Sequence, residues 1–175
     1  MKEIKALTQS FSRNELSDIL DRVEMNFSSV DSIVNDVVAK YCKPLDDYVK
    51  QVDDILKEGK DIADAELDDF ALNIPSLIYF ACEAQESIGI KEDVARAVRA
   101  EIFNTARDSA EGTVSDKDSI GDLAAQRETI VVIIYQRAYK KIKARIEAAY
   151  ELLNSVKKVI SHRQTQFDVS RADRY

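Results

Sequence analysis

Glycine and proline are scarce, at four and two residues in a chain of 175. Sandwiches and barrels need turn residues at short, regular intervals, so this shortage excludes them and favours long helices joined by few loops. Histidine occurs once, at position 162, and tryptophan is absent. A lone histidine leaves no material for a His-based metal site or a conventional catalytic triad. Cys42 and Cys82 have no CxxC partner and read as two buried thiols in a reducing compartment. Neither GxxxxGK[ST] nor GxGxxG is present, so nucleotide binding has no motif behind it. No apolar run approaches the ~18 residues a membrane span requires, and "MKEIKALTQSFSRNE" lacks the apolar centre of a signal peptide. The expectation is a cytoplasmic protein that does not engage a membrane.

Charge is unevenly spread. The net charge of −7 argues against a surface that binds nucleic acid all over, because phosphate binding depends on clustered Lys and Arg. From Glu15 to Phe70 acidic residues outnumber basic ones by about ten, whereas Tyr135 to Arg163 carries eight Lys/Arg against Glu147 and Glu151. A local basic helix is hidden within the acidic total.

Heptads dominate what is present. After a stretch without period over residues 1–11, Ser12 and Glu15 have capping-box spacing. Leu16, Leu20, Val23, Phe27, Val30, Val34, Val37 and Tyr41 then alternate steps of four and three, and the apolar series goes on through Leu45, Tyr48, Val52 and Ile55. This 3.5-residue period is a helix-pairing seam. Pro44 predicts a kink or short break within it and Gly59 its end. A second helix, capped by Asp61 or Asp64, runs to about Ser87 through "ELDDFALNIPSLIYF", whose apolar period stays in phase across Pro75. "SIGIKED" reads as a connection reversing at Gly89. A third helix follows from about Lys91 to near Gly112, with Val94, Val98, Ile102 and Ala106 facing inward. Residues 113–121 read as a loop, with an N-cap signal in "SDKD".

The last helix, from about Asp122 to Ser170, carries the seam Val132, Tyr135, Tyr139, Ile142, Ile146, Ala149, Leu153, Val156, Ile160 and Phe167. "IVVII" at 130–134 predicts burial on more than one side, at the middle of the bundle. The expected fold is all-α: an elongated bundle with long, heptad-patterned N- and C-terminal helices. It divides into an N-terminal arm over 1–60, kinked near Pro44, and a helical core over 61–175, together one structural domain.

The chemistry-bearing candidates are few. Glu83 with Glu86 and Glu66 with Asp69 have the i, i+3 spacing of an acidic metal site on facing helices. Among 32 acidic residues such pairs arise by chance and read as solvated faces, so neither a metal nor an enzyme is expected. The basic series is the stronger signal. Arg137, Lys141 and Arg145 recur at i+4 with Lys140 beside them, Lys157, Lys158, His162 and Arg163 form a later group, and Arg96, Arg99 and Arg107 a smaller one. Two readings stand level. The series lines a groove for a phosphate backbone, with Tyr135, Tyr139 and Tyr150 offering rings to bases. Alternatively it is a flank that pairs with Asp18, Asp21, Glu24, Asp31 and Asp36 of the acidic N-terminal helix. Tyr135 and Tyr139 lie on the seam and read as core.

"ELDDFALNIPSLIYFACEAQ", "VARAVRAEIFNTARDSAEG" and "IEAAYELLNSVKKVISHRQTQFDVSR", in that order, resemble the UvsY-like recombination mediator family of phages over about residues 66–171. The matching positions are Ile74, Pro75 and Leu77, then Arg99 and Phe103, then Ile160 and Arg163. The resemblance implies a non-enzymatic helical homo-oligomer, ring-like in assembly, that binds single-stranded DNA. It would help a RecA-like recombinase displace single-strand-binding protein, without a cofactor. The family's DNA-contacting Lys falls on Ala97, with Arg96 adjacent, so Arg99 alone carries over cleanly. The acidic arm from Leu16 to Ile55 is longer than the family needs.

Overall fold

The computed structural model describes residues 13–57 and 62–172. The unpatterned start, the Ser12 cap, the stop at Gly59 and the cap at Asp61 lie outside the described residues. Among the described residues four helices follow one another: α1 (Arg13–Lys57), α2 (Asp64–Ser109), α3 (Val114–Ala124) and α4 (Gln126–Ala172). Among the described residues there is no strand. The fold is the expected all-α elongated bundle, and α4 alone is about 70 Å long.

α2 forms one antiparallel hairpin with α3 and α4 together. The pairings Asp64 with Arg163, Gly89 with Tyr139, Arg99 with Thr129 and Arg107 with Asp118 run in opposite directions along the two limbs. α1 lies antiparallel to α2, through Tyr48–Phe70 and Tyr41–Lys91, and therefore parallel to α4. The core at their meeting is made largely of the seams read from the sequence, with Val38 and Cys42 of α1 and Ala138 of α4 added beside them. Val34, Leu45 and Val52 come from α1, Leu67, Phe70, Ile74 and Ile78 from α2, and Ile142, Ile146, Ala149, Leu153 and Val156 from α4. Each such aliphatic side chain contributes about 1.5–3 kcal/mol on burial.

Several boundaries differ from the sequence reading. Gly89 does not reverse the chain: α2 passes through it as a single helix. The Tyr139 ring lies beside it, and an added Cβ would meet that ring in ordinary contact at 3.5 Å. Pro44 and Pro75 both lie inside continuous helices, so neither breaks its element. Each removes a single N–H donor, and packing of the apolar stripe on both sides outweighs that loss. Asp64 is the first residue of α2 and not its cap; the start is held by Glu66 reaching back to the Ala63 N–H at 3.1 Å.

Residues 113–121 are not a loop. Thr113 caps α3, its hydroxyl accepting from the Asp116 N–H at 3.3 Å while Asp116 accepts from the Thr113 N–H at 3.0 Å. Gly112, at φ 119°, supplies the left-handed turn before it. α3 then runs into α4 through Ala125, with the Ala125 N–H donating to Gly121 and the Thr129 N–H to Ala125.

α1 covers the hairpin along only part of its length. From Val30 onward its seam is buried or half-buried, but Leu20 (66% exposed), Val23 and Phe27 (58% each) are not. At the same end Val94 (57%) and Val98 point outward, contrary to the inward face expected for them. Within "IVVII" only Val132 is buried, so the middle of the bundle lies further along α4, around Ile142. Phe167 also extends past the core. Cys42 is buried as expected, whereas Cys82 is exposed.

Candidate nucleic-acid interface

The ten cations singled out in the sequence fall into two sets. Six are held by carboxylates of the same chain. On α2, Arg96 takes Glu92 at 2.6 Å, Arg99 takes Asp122 at 3.2 Å and Arg107 takes Asp118 at 2.7 Å. On α4, Lys141 takes Asp31 at 2.8 Å, Arg145 takes Asp46 at 3.2 Å and Arg163 takes Asp64 at 2.7 Å. Arg99, the residue best matched to the mediators, also donates to the Thr129 hydroxyl at 2.8 Å and lies over the Phe103 ring. Five of these six pairs fix helix to helix, but only Lys141 and Arg145 reach the acidic N-terminal helix that the acidic-flank reading names. Asp31 is among the partners named from the sequence. Asp46 was missed, although it lies beside Leu45 on the same seam.

Arg137, Lys140, Lys157 and Lys158 form the second set. All four are exposed, and none has an ion pair among the described residues. Lys140 and Lys158 are 18 residues apart, five whole turns, so they project from one side of α4 about 27 Å from each other. Arg137 precedes Lys140 by about one turn. Glu147 and Glu151 lie on the line between them, so the helix offers two separate cationic spots and not an unbroken track, and Lys157 projects about 100° round the helix from Lys158. Tyr135 and Tyr139 pack against the core as expected, while Tyr150 is exposed. His162 is exposed on the same helix.

Electrostatics around the paired set follow from their contacts. The Lys141 ammonium, donating to Asp31, holds that carboxyl below the ordinary range; Asn35 helps and burial opposes. Burial raises Asp46 despite Arg145. At the α1–α2 crossing Lys91 donates to the Tyr41 hydroxyl at 2.8 Å, which lowers the phenol and raises the amine.

The acidic pairs do not assemble. Glu66 serves the start of α2, Asp69 accepts from the Tyr48 hydroxyl and Glu83 from that of Tyr79. Among the described residues no group of His, Cys, Asp or Glu is arranged to hold a metal ion. No described helix is long and apolar enough to cross a membrane.

The site's second feature is apolar, and the charge pattern gave no hint of it. A groove of about 670 Å³ runs between Val23 and Phe27 of α1 and Ile133 of α4, with Arg137 and Lys141 at its edge. Another, of about 430 Å³, lies between α2 and α4 beyond the Tyr41–Lys91 contact, lined by Ile90, Val94, Val98, Val131 and Tyr135. Fold and surface together define a long helical bundle with two exposed cationic spots on α4 and an apolar end. Comparison with protein-family models, curated proteins and solved structures finds no match to this chain.

Proposed function

We propose that this protein is a non-catalytic recombination accessory factor that binds single-stranded DNA as a homo-oligomer. In this reading it helps a RecA-like recombinase replace single-strand-binding protein in the cytoplasm, with no cofactor. The observation that carries the reading is the second set of cations: Arg137, Lys140, Lys157 and Lys158 stand exposed on one rigid helix, without carboxylate partners among the described residues. The resemblance of residues 66–171 to phage mediators supplies the context. In an oligomer, two cationic spots per subunit repeat around the assembly, which suits a flexible backbone better than a rigid duplex. Arg96, Arg99, Arg107, Lys141, Arg145 and Arg163 take a structural role in this reading.

The test is retention of an oligonucleotide of ~40 nucleotides in low salt, compared with a quadruple variant carrying Ala at 137, 140, 157 and 158. Retention by the parent and loss by the variant is expected. Absence of retention by the parent refutes DNA binding.

A second reading, a helical interaction protein without DNA affinity, draws on the exposed apolar seam of α1 and the open groove beside it. A stable protein complex together with no oligonucleotide binding would select it.

A further inference from the structure

The outer side of α2 carries an apolar and aromatic stripe that the bundle leaves uncovered. At about 100° per residue, Leu72, Tyr79, Glu83 and Glu86 share one line of the helix, opposite the buried Phe70, Ile74, Ala81 and Ile88. Phe80 stands at its edge. Leu72 is 75% exposed, and Tyr79 and Phe80 are 60% exposed each. The two rings meet edge to face with centroids 5.6 Å apart, and the Tyr79 hydroxyl donates to Glu83 at 2.8 Å. Two rings braced in this way against each other and a carboxylate form a rigid apolar knob on the surface.

Charge identifies the occupant. Residues 64–90 contain six carboxylates and no Lys, Arg or His. Asp64 is taken by Arg163, Glu66 by the start of α2 and Asp69 by the Tyr48 hydroxyl, while Asp68 lines the same hollow as Arg163. Glu83 and Glu86, on the stripe itself, have no ion pair among the described residues. A phosphate backbone or an anionic membrane surface is repelled by such a face. Lys and Arg side chains find both carboxylates and ring faces on it. Leu72 and Tyr79 are one heptad apart, and Leu72 to Glu86 extends about 21 Å along a convex side, which suits a second helix laid alongside.

We infer that the outer face of α2, from Leu72 to Glu86, docks a Lys/Arg-rich amphipathic helix of another protein. The apolar side of that helix seats on Leu72, Tyr79 and Phe80, and its cations meet Glu83 and Glu86. This face is separate from the cations assigned to DNA: none of Arg137, Lys140, Lys157 and Lys158 takes part, and the inference does not rest on DNA binding.

The test uses the full chain and a synthetic amphipathic peptide of ~20 residues, long enough to span the face as a helix, with Leu on one side and Lys and Arg beside it. Anisotropy of the labelled peptide reads binding. Alkylation of Cys82, which is exposed two positions from Phe80, reads where it binds. The parent is expected to bind, and the peptide to slow alkylation of Cys82. Tyr79→Ala/Phe80→Ala and Glu83→Lys/Glu86→Lys are each expected to weaken binding about tenfold or more and to abolish that protection. All four positions are exposed, so helicity by circular dichroism should be unchanged. Asp36→Lys/Asp47→Lys makes the same change in net charge at exposed positions of α1 and is expected to bind as the parent does. No binding by the parent overturns the inference, as does binding that leaves Cys82 unprotected or an equal loss in the α1 variant. Oligonucleotide retention is expected to be the same in the parent and in Tyr79→Ala/Phe80→Ala. A parent that binds the peptide but no oligonucleotide would refute DNA binding and support this face alone.

Discussion

Asp31 shows how a single contact ties the acidic arm to the basic helix. Its carboxyl is held low by Lys141, so the native state binds its proton less readily than the unfolded chain does. The stability it contributes is present above the unfolded carboxyl pKa of about 3.9 and is lost as the pH falls through the lower native value. Asp116, held low by the Thr113 hydroxyl and N–H, behaves likewise. Asp46 runs the other way: burial raises it, so the native state takes up that proton first and falling pH favours the fold at this residue. Asp31→Asn is therefore expected to flatten the fall in melting temperature between about pH 5 and pH 3, and Asp46→Asn not to. An unchanged profile for Asp31→Asn would contradict the Lys141 contact. The thiols differ as well. Burial, reinforced by Asp46, raises Cys42, whereas Cys82 is exposed. A thiol reagent should label Cys82 in the native protein and Cys42 after denaturation; rapid labelling of both would place Cys42 wrongly. The sequence marked both thiols as buried, because a cysteine's hydrophobicity does not reveal which side of a helix faces a neighbour. Cys42 lies one turn beyond the buried Val38, beside the strict 3.5-residue seam and not on it.

At the scale of elements, the seams were legible and the junctions were not. Apolar period identified the core positions of α4 from Ile142 to Val156, and those of α2 from Leu67 to Ile78, because packing against a neighbour imposes that period directly. Gly89 and residues 113–121 were misread, since glycine and capping signals describe local freedom, and tertiary contacts decide how it is used. In α2 Gly89 lies beside the Tyr139 ring with room for a Cβ, whereas in α3 the missing side chain of Gly121 is what admits Phe103. The two glycines should thus respond oppositely to the same change. At Gly89 an added Cβ makes ordinary contact at 3.5 Å, so Gly89→Ala is expected to stabilise by about 0.5–1 kcal/mol through helix propensity. At Gly121 it would fall 2.8 Å from the Phe103 ring and 3.1 Å from the Phe103 carbonyl oxygen, so Gly121→Ala is expected to cost about 1–3 kcal/mol. Chemical denaturation of both variants measures the difference. Destabilisation by Gly89→Ala would mean that the chain reverses there after all.

For the whole molecule, the all-α bundle followed from scarce turn residues and long heptads, but its uncovered end did not. Periodicity tells which side of a helix is apolar, not whether a partner is present in the same chain. Leu20 and Leu45 are thus equivalent in pattern and opposite in exposure. The charge pattern had the same ambiguity, with Lys141 spent on Asp31 while Lys140 next to it remains exposed. In the proposed function, strand binding falls to the cations that are left over. Their number fixes the most direct measurement, the salt dependence of single-strand binding. With four cations per protomer, the logarithm of affinity should fall against the logarithm of salt with a slope of about −3 for each protomer that engages the strand, from roughly 0.7 per neutralised phosphate. Replacing Lys140 and Lys158 with Ala should bring that slope to about half. Binding that does not change with salt, or no binding at low salt, would contradict the claim that this helix carries DNA.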